Sequence, residues 1–193
     1  MGLFSLGVNA KSHTEKAVAW LGDSGTGTQT NFTNKAKDTI TVVLWHLPLG
    51  DYAAMCMNVK QPQITHTLKP GESVLVTIAD GVSGAFSAVY PQTKINFAGQ
   101  ISNTWGEFTT GPYGTVDVSR EVAPEGNGMS ITTSTGCKSD FKSCFFACTA
   151  LNAQGVCGEA GTYKLHNCPE QSDASGMNGG CPGMSGKVAV AFE

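Results

Sequence analysis

From residue 39 to the end of the chain, hydrophobic and polar residues alternate in short bursts separated by turn residues. Residues 39–45 form a β-branched run dense enough for a buried strand. In residues 63–68, Ile64, His66 and Leu68 share one face while Thr65 and Thr67 share the other, which is the two-residue period of a strand. Lys69-Pro70-Gly71-Glu72 is a turn signal, because proline presets φ and glycine accepts a positive φ. Val74, Val76 and Ile78 then alternate with Ser73, Leu75 and Thr77, and Asp80-Gly81 marks the next reversal. Further strands are predicted at 85–90, 105–109, 115–119, 129–133 and 187–192. Short strands with a turn signal about every ten residues predict an all-β sandwich or barrel. No helical periodicity is available for crossovers, so a parallel α/β fold is disfavoured. The start of the chain reads differently. Ser12 and Glu15 form a capping-box pattern ahead of Ala17, Val18, Trp20 and Leu21, with Gly22 as a stop, which predicts one short helix. Residues 23–30 read as a Gly/Ser/Thr linker, so the expected organisation is an arm and linker over 1–30 and a β-sandwich domain over 31–193.

Composition narrows the function classes. The 193 residues fit one domain and suffice for a real core. Charged residues make up 14%, below the roughly 25% of an average soluble domain. A net charge of −3 offers no basic field for a phosphate backbone, so nucleic acid is not an expected partner. No apolar run approaches the ~18 residues needed to cross a bilayer, so no membrane span is expected. Residues 1–8 are apolar but brief and lack a basic start, so they do not read as a signal peptide. Leu6 breaks the myristoylation pattern that Gly2 would begin.

The seven cysteines are distributed unevenly. Cys137, Cys144, Cys148, Cys157, Cys168 and Cys181 lie in one Gly/Ser/Asn-rich lobe at about 134–186, and Cys56 stands apart between Met55 and Met57. Such a lobe has too little apolar content to fold unaided, and disulfides are the usual remedy. No pair has Cys-x2-Cys spacing and only His166 lies nearby, so zinc is the weaker reading and neither metal nor cofactor is expected. Six cysteines admit fifteen pairings, and spacing does not choose among them. Disulfides place the protein outside the cell or in another oxidising compartment. Cys56 reads either as a small buried hydrophobe or as a bridge between two molecules.

Several segments, taken in order over 31–193, resemble the thaumatin-like family. They are Phe32-Thr33-Asn34-Lys35-Ala36 with Ile40-Thr41-Val42-Val43-Leu44-Trp45, the Leu68-Lys69-Pro70-Gly71-Glu72-Ser73 turn, and Gly84-Ala85-Phe86. Trp105-Gly106-Glu107-Phe108-Thr109, Gly114-Thr115-Val116-Asp117-Val118-Ser119, Asn127-Gly128-Met129-Ser130-Ile131, the Cys137–Cys144–Cys148 cluster and Val188-Ala189-Val190-Ala191-Phe192 complete the series. The resemblance implies a thaumatin-like β-sandwich with a disulfide-stapled C-terminal lobe. Its terminal bridge is missing as a pair, at Ala36 and Glu193. It also implies an acidic cleft, where some members bind or cleave β-1,3-glucans. Glu107 and Asp117 match two of the five cleft residues, whereas the cleft arginine has no counterpart in 87–90 and further acids are lost in 144–148.

Two carboxylates across a groove are the chemistry of glycoside hydrolysis, one as acid and one as nucleophile or base. The plainer reading of Glu107 and Asp117 is a solvated or turn-capping role. Trp45, Tyr52, Trp105 and Tyr113 suit sugar stacking if they line a groove, and core packing otherwise. His66 reads as a satisfied core histidine, His46 and His166 carry no signal, and the sequon Asn31-Phe32-Thr33 has meaning only in a secreted chain. The leading expectation is a non-enzymatic β-glucan-binding or defence/elicitor-type protein that uses Glu107, Asp117, Trp105 and Tyr113. The alternatives are a self-assembling structural or storage protein cross-linked through Cys56 and, third, a weak endo-β-1,3-glucanase with Glu107 and Asp117 as its acids.

Overall fold

The computed structural model describes residues 27–48, 64–95, 101–120, 123–148, 153, 163–166, 170–171 and 179–193. The short helix expected at 12–22 lies outside the described residues, as do Tyr52 and Cys56. Among the described residues there is no helix, and the fold is all-β.

The strands are β1 (Gly27–Asn34), β2 (Ile40–Pro48), β3 (Ile64–Leu68), β4 (Ser73–Ala79), β5 (Val82–Val89), β6 (Lys94–Ile95), β7 (Ile101–Ser102) and β8 (Trp105–Thr109). They continue as β9 (Thr115–Ser119), β10 (Met129–Thr132), β11 (Lys138–Ser139), β12 (Phe145–Cys148), β13 (Tyr163–His166), β14 (Glu170–Gln171), β15 (Gly179–Pro182) and β16 (Lys187–Phe192). One sheet runs β11-β10-β16-β1-β4, and the other runs β13-β12-β9-β8-β5-β2-β3 with β15 also paired to β9. Both are mixed: β1 is parallel to β16, and β12 is parallel to β9.

The two sheets close on a common core. Phe32, Ile78, Ile131, Val190 and Phe192 from the first sheet meet Val42, Leu44, Phe86, Val116 and Val118 from the second, all fully buried. Each such side chain contributes roughly 1.5–3 kcal/mol relative to exposure. Phe32 joins the layers, edge-on to Phe86 at 5.0 Å and stacked on Phe192 at 6.1 Å between centroids. The turns fall where the sequence puts them, with Gly71 at φ +81° and Gly81 at φ +77°.

The chain enters the sheet at Gly27, within the segment that reads as a linker. Phe32 is the only large apolar residue of β1; the other inward positions are Thr28, Thr30 and Asn34, all buried. Two of these three are well satisfied. Thr28 Oγ1 donates to the Met184 carbonyl at 3.0 Å, and Asn34 Nδ2 donates to the carbonyls of Asp38 and Leu68 at 2.8 and 2.9 Å. Thr30 Oγ1, in contrast, is buried without a hydrogen-bond partner among the described residues. An orphaned buried hydroxyl costs on the order of 1–3 kcal/mol, whereas an apolar group of the same shape has nothing to desolvate. Thr30→Val is therefore expected to stabilise the protein by about 1 kcal/mol, read as a rise in the denaturation midpoint at unchanged m-value.

β5 is buried on both faces over residues 83–88, because a second cluster of Val43, Trp45, Ala85, Ile101 and Trp105 covers the outer side of its sheet. The β6–β7 pair brings Ile101 onto this cluster, and Trp105 Nε1 donates to the Ile101 carbonyl at 2.9 Å. In the cysteine-rich lobe Cys137 is bonded to Cys181, with Cα atoms 5.4 Å apart. Cys144 is disulfide-bonded as well. The side chains of Cys148, Cys157 and Cys168 lie outside the described set.

Candidate functional site

β8 and β9 pair antiparallel, so that Trp105 faces Ser119, Glu107 faces Asp117 and Thr109 faces Thr115. The intervening residues Phe108, Val116 and Val118 point into the main core. Alternation therefore turns Glu107 and Asp117 to the outer face, where both are half-buried. Residues directly opposed on neighbouring strands have Cβ atoms about 4.5–5.5 Å apart. The two acids that the sequence singles out are thus brought together as immediate neighbours.

The row continues across the sheet. Glu107 lies opposite Ala85 on β5, and Ala85 lies opposite Trp45 on β2. One strand-width of small side chain separates the acid pair from the indole. Hydroxyls border the row: Ser83 and Thr109 are hydrogen-bonded at 3.1 Å, and Thr115 and Ser119 flank Asp117.

The far edge of β9 divides at Asp117. Thr115 and Val116 pair with Pro182 and Cys181 of β15, whereas Val118 and Ser119 pair with Phe145 and Phe146 of β12. Ser139 ties the fork together, since its Oγ accepts from the Val118 N–H at 2.7 Å and donates to the Cys144 carbonyl. Arg120, the next residue, is committed elsewhere. Its guanidinium lies 3.3 Å from the centroid of the Phe141 ring and donates to the Gly126 carbonyl at 3.1 Å, and burial draws its pKa down.

The aromatic candidates separate. Trp105 and Trp45 are buried members of the second cluster, on the same sheet face as the acid pair. Tyr113 stands at the tip of the β8–β9 loop, 98% exposed. His66 is half-buried on β3, and burial lowers its pKa, which keeps it neutral near pH 7. The side chains of His46 and His166 are not among those described.

Like charges directly opposed on a sheet repel, so each carboxylate is stabilised by hydrogen-bond donors beside it. The two acids lie side by side on neighbouring strands of one sheet face. Among the described residues, no group of three or more His, Cys, Asp or Glu is placed to hold a metal. Also among the described residues, no helix is long and apolar enough to cross a membrane. The Trp45–Ala85 extension and the fork at Asp117 depend on pairings between distant strands, which no local signal reveals.

A family model described as the Allergen Asp f 4-like domain matches residues 28–167, a range that includes both carboxylates. No curated protein matches the chain. Among solved structures, the protein elicitor MoHrip2 from Magnaporthe oryzae is similar at 17% identity and a TM-score of 0.45, covering 86% of this chain and 98% of that one. The matched family is not the thaumatin-like one, which corrects the resemblance drawn from the sequence. Its pieces were a Pro-Gly turn, alternating hairpin strands and a cysteine cluster. Those are the common vocabulary of short-stranded, cross-linked β proteins, and any chain folding this way displays them in similar order.

Proposed function

The chain belongs to the Allergen Asp f 4-like domain family, and from that premise we propose that it is a non-enzymatic binding protein that holds polysaccharide against Glu107 and Asp117. The observation that carries this reading is the register that sets Glu107 opposite Asp117 on the outward face, in one row with Ala85 and Trp45. A carboxylate accepting from a sugar hydroxyl forms a charge-assisted bond worth roughly 1.5–3 kcal/mol. The Cys137–Cys181 bond fits an oxidising compartment such as the cell exterior, where such polymers are found.

Retention on insoluble β-1,3-glucan tests the proposal. Wild-type protein is expected to be retained. Glu107→Gln and Asp117→Asn, which keep shape and remove charge, are each expected to weaken retention about tenfold. Wild-type protein that passes through glucan unretained, or amide variants that bind as well as wild type, would remove this reading.

A further inference from the structure

We propose that Asn31 carries an N-linked oligosaccharide on the outer face of the first sheet, on the opposite side of the sandwich from Glu107 and Asp117. The inference rests on the extracellular reading above, because the transfer takes place in the secretory pathway. Asn31-Phe32-Thr33 is the only Asn-x-Ser/Thr triplet in the chain. Such triplets ordinarily mark surface loops, whereas this one lies inside β1. Strand alternation supplies what a loop would. Phe32 is fully buried, so Asn31 and Thr33 both turn to the outer face, where each is half-buried.

The Asn31 amide is uncommitted. Asn34 gives its Nδ2 to the Asp38 and Leu68 carbonyls and accepts from the Ala36 N–H. Asn103 likewise donates to the Ala88 carbonyl and accepts from the Asn127 N–H. Those two asparagines are fixed parts of the fold, whereas Asn31 has no side-chain hydrogen bond among the described residues. Its backbone is already provided for, since β1 is an inner strand paired with β4 and β16. Directly opposite Asn31 stand Leu75 on β4 and Ala189 on β16, both exposed, with exposed Thr132 of β10 beyond Ala189. Leu75 is one of three large hydrophobic residues exposed among those described, at 39%. Residues directly opposed on antiparallel strands have Cβ atoms about 4.5–5.5 Å apart, so a sugar on Asn31 has Leu75 as its neighbour. The C–H face of the ring then covers apolar surface that is otherwise wet, and its hydroxyls stay in solvent. The transfer balances as a substitution. Asn31 Nδ2 bonds to the anomeric carbon of a lipid-diphosphate-linked oligosaccharide, the carbon–oxygen bond to the diphosphate breaks, and the amide gives up one proton as the lipid diphosphate leaves.

The test is the intact mass of the full chain exported through a eukaryotic secretory pathway behind a signal that is cleaved in transit. Wild-type protein is expected to carry an added mass of hexose and N-acetylhexosamine units. Amidase release should remove it and convert Asn31 to aspartate, which marks the site. Asn31→Gln and Thr33→Ala are each expected to lose the whole addition, and Thr33→Ser to keep it. The glycosylated protein should melt cooperatively, no lower than Asn31→Gln. Exported protein with the bare polypeptide mass, an addition that survives Asn31→Gln, or oligosaccharide found only on unfolded material overturns the assignment. Glucan retention is read separately and should be the same for wild type and Asn31→Gln, so failure of the binding reading and failure of this one are different results.

Discussion

Gly106→Ala is expected to destabilise the protein by about 3 kcal/mol, which for a chain of this length lowers the melting temperature by roughly 6–12 °C. Gly106 sits in β8 directly opposite Phe86 in β5. A Cβ at this position falls within the Phe86 ring. The ring has little freedom to yield, because Phe32 meets it edge-on at 5.0 Å and Phe108 stacks on it at 6.0 Å. The backbone at Gly106 is not in the left-handed region, so conformational strain plays no part; on chain entropy alone alanine would be favoured by about 0.4–1 kcal/mol. Steric overlap therefore has to outweigh that gain. A double variant with Phe86→Leu separates the terms: if the ring is the obstacle, leucine recovers part of the loss and the two substitutions are strongly non-additive. Thermal melts of wild type, both singles and the double check this, and an unchanged midpoint for Gly106→Ala rejects the account.

The same residues show how much of the fold could be read in advance. Where one face is apolar and the other polar, alternation located the strand: β8, β9 and β16 have the boundaries that periodicity predicts, and β4 differs little. β1 shows no apolar alternation because, apart from Phe32, its inward side chains are Thr28, Thr30 and Asn34; Thr28 bonds to Met184, and Asn34 bonds to Leu68 as well as to nearby Asp38. β15 escaped for a related reason. Gly-Gly-Cys-Pro has no strand propensity, and it is extended because β9 lies beside it and Cys137 holds it there. Alternation was enough to turn Glu107 and Asp117 outward. Their direct opposition follows from the five-residue loop 110–114, whose length sets the hairpin register. What joins that pair to Trp45 and to the fork at Asp117 is the order of strands in the sheet, a global property that no window of sequence contains.

Removing the bond between Cys137 and Cys181, as the double alanine variant so that no free thiol is left, is expected to cost about 4 kcal/mol in the chain-entropy description. The bridge spans a sequence separation of 44 residues, and a cross-link of that span restricts the unfolded chain strongly. The native state adds a local term. Cys181 is fully buried in the main core opposite Val116, so truncating it leaves a void beneath β9. Oxidised wild type should melt roughly 8–16 °C above the variant, and reductant should narrow the gap. The loss should also be uneven. β15 holds only the Thr115–Val116 half of β9, whereas β1 is paired along its length with both β4 and β16. Hydrogen exchange is therefore expected to accelerate at Thr115 and Val116 well before the amides shared by β1 and β4. Uniform acceleration would mean that the bridge acts on the unfolded chain alone. Selective acceleration would tie the lobe to the strand that carries Asp117, and glucan retention should then fall in the variant even at temperatures where the two sheets remain folded.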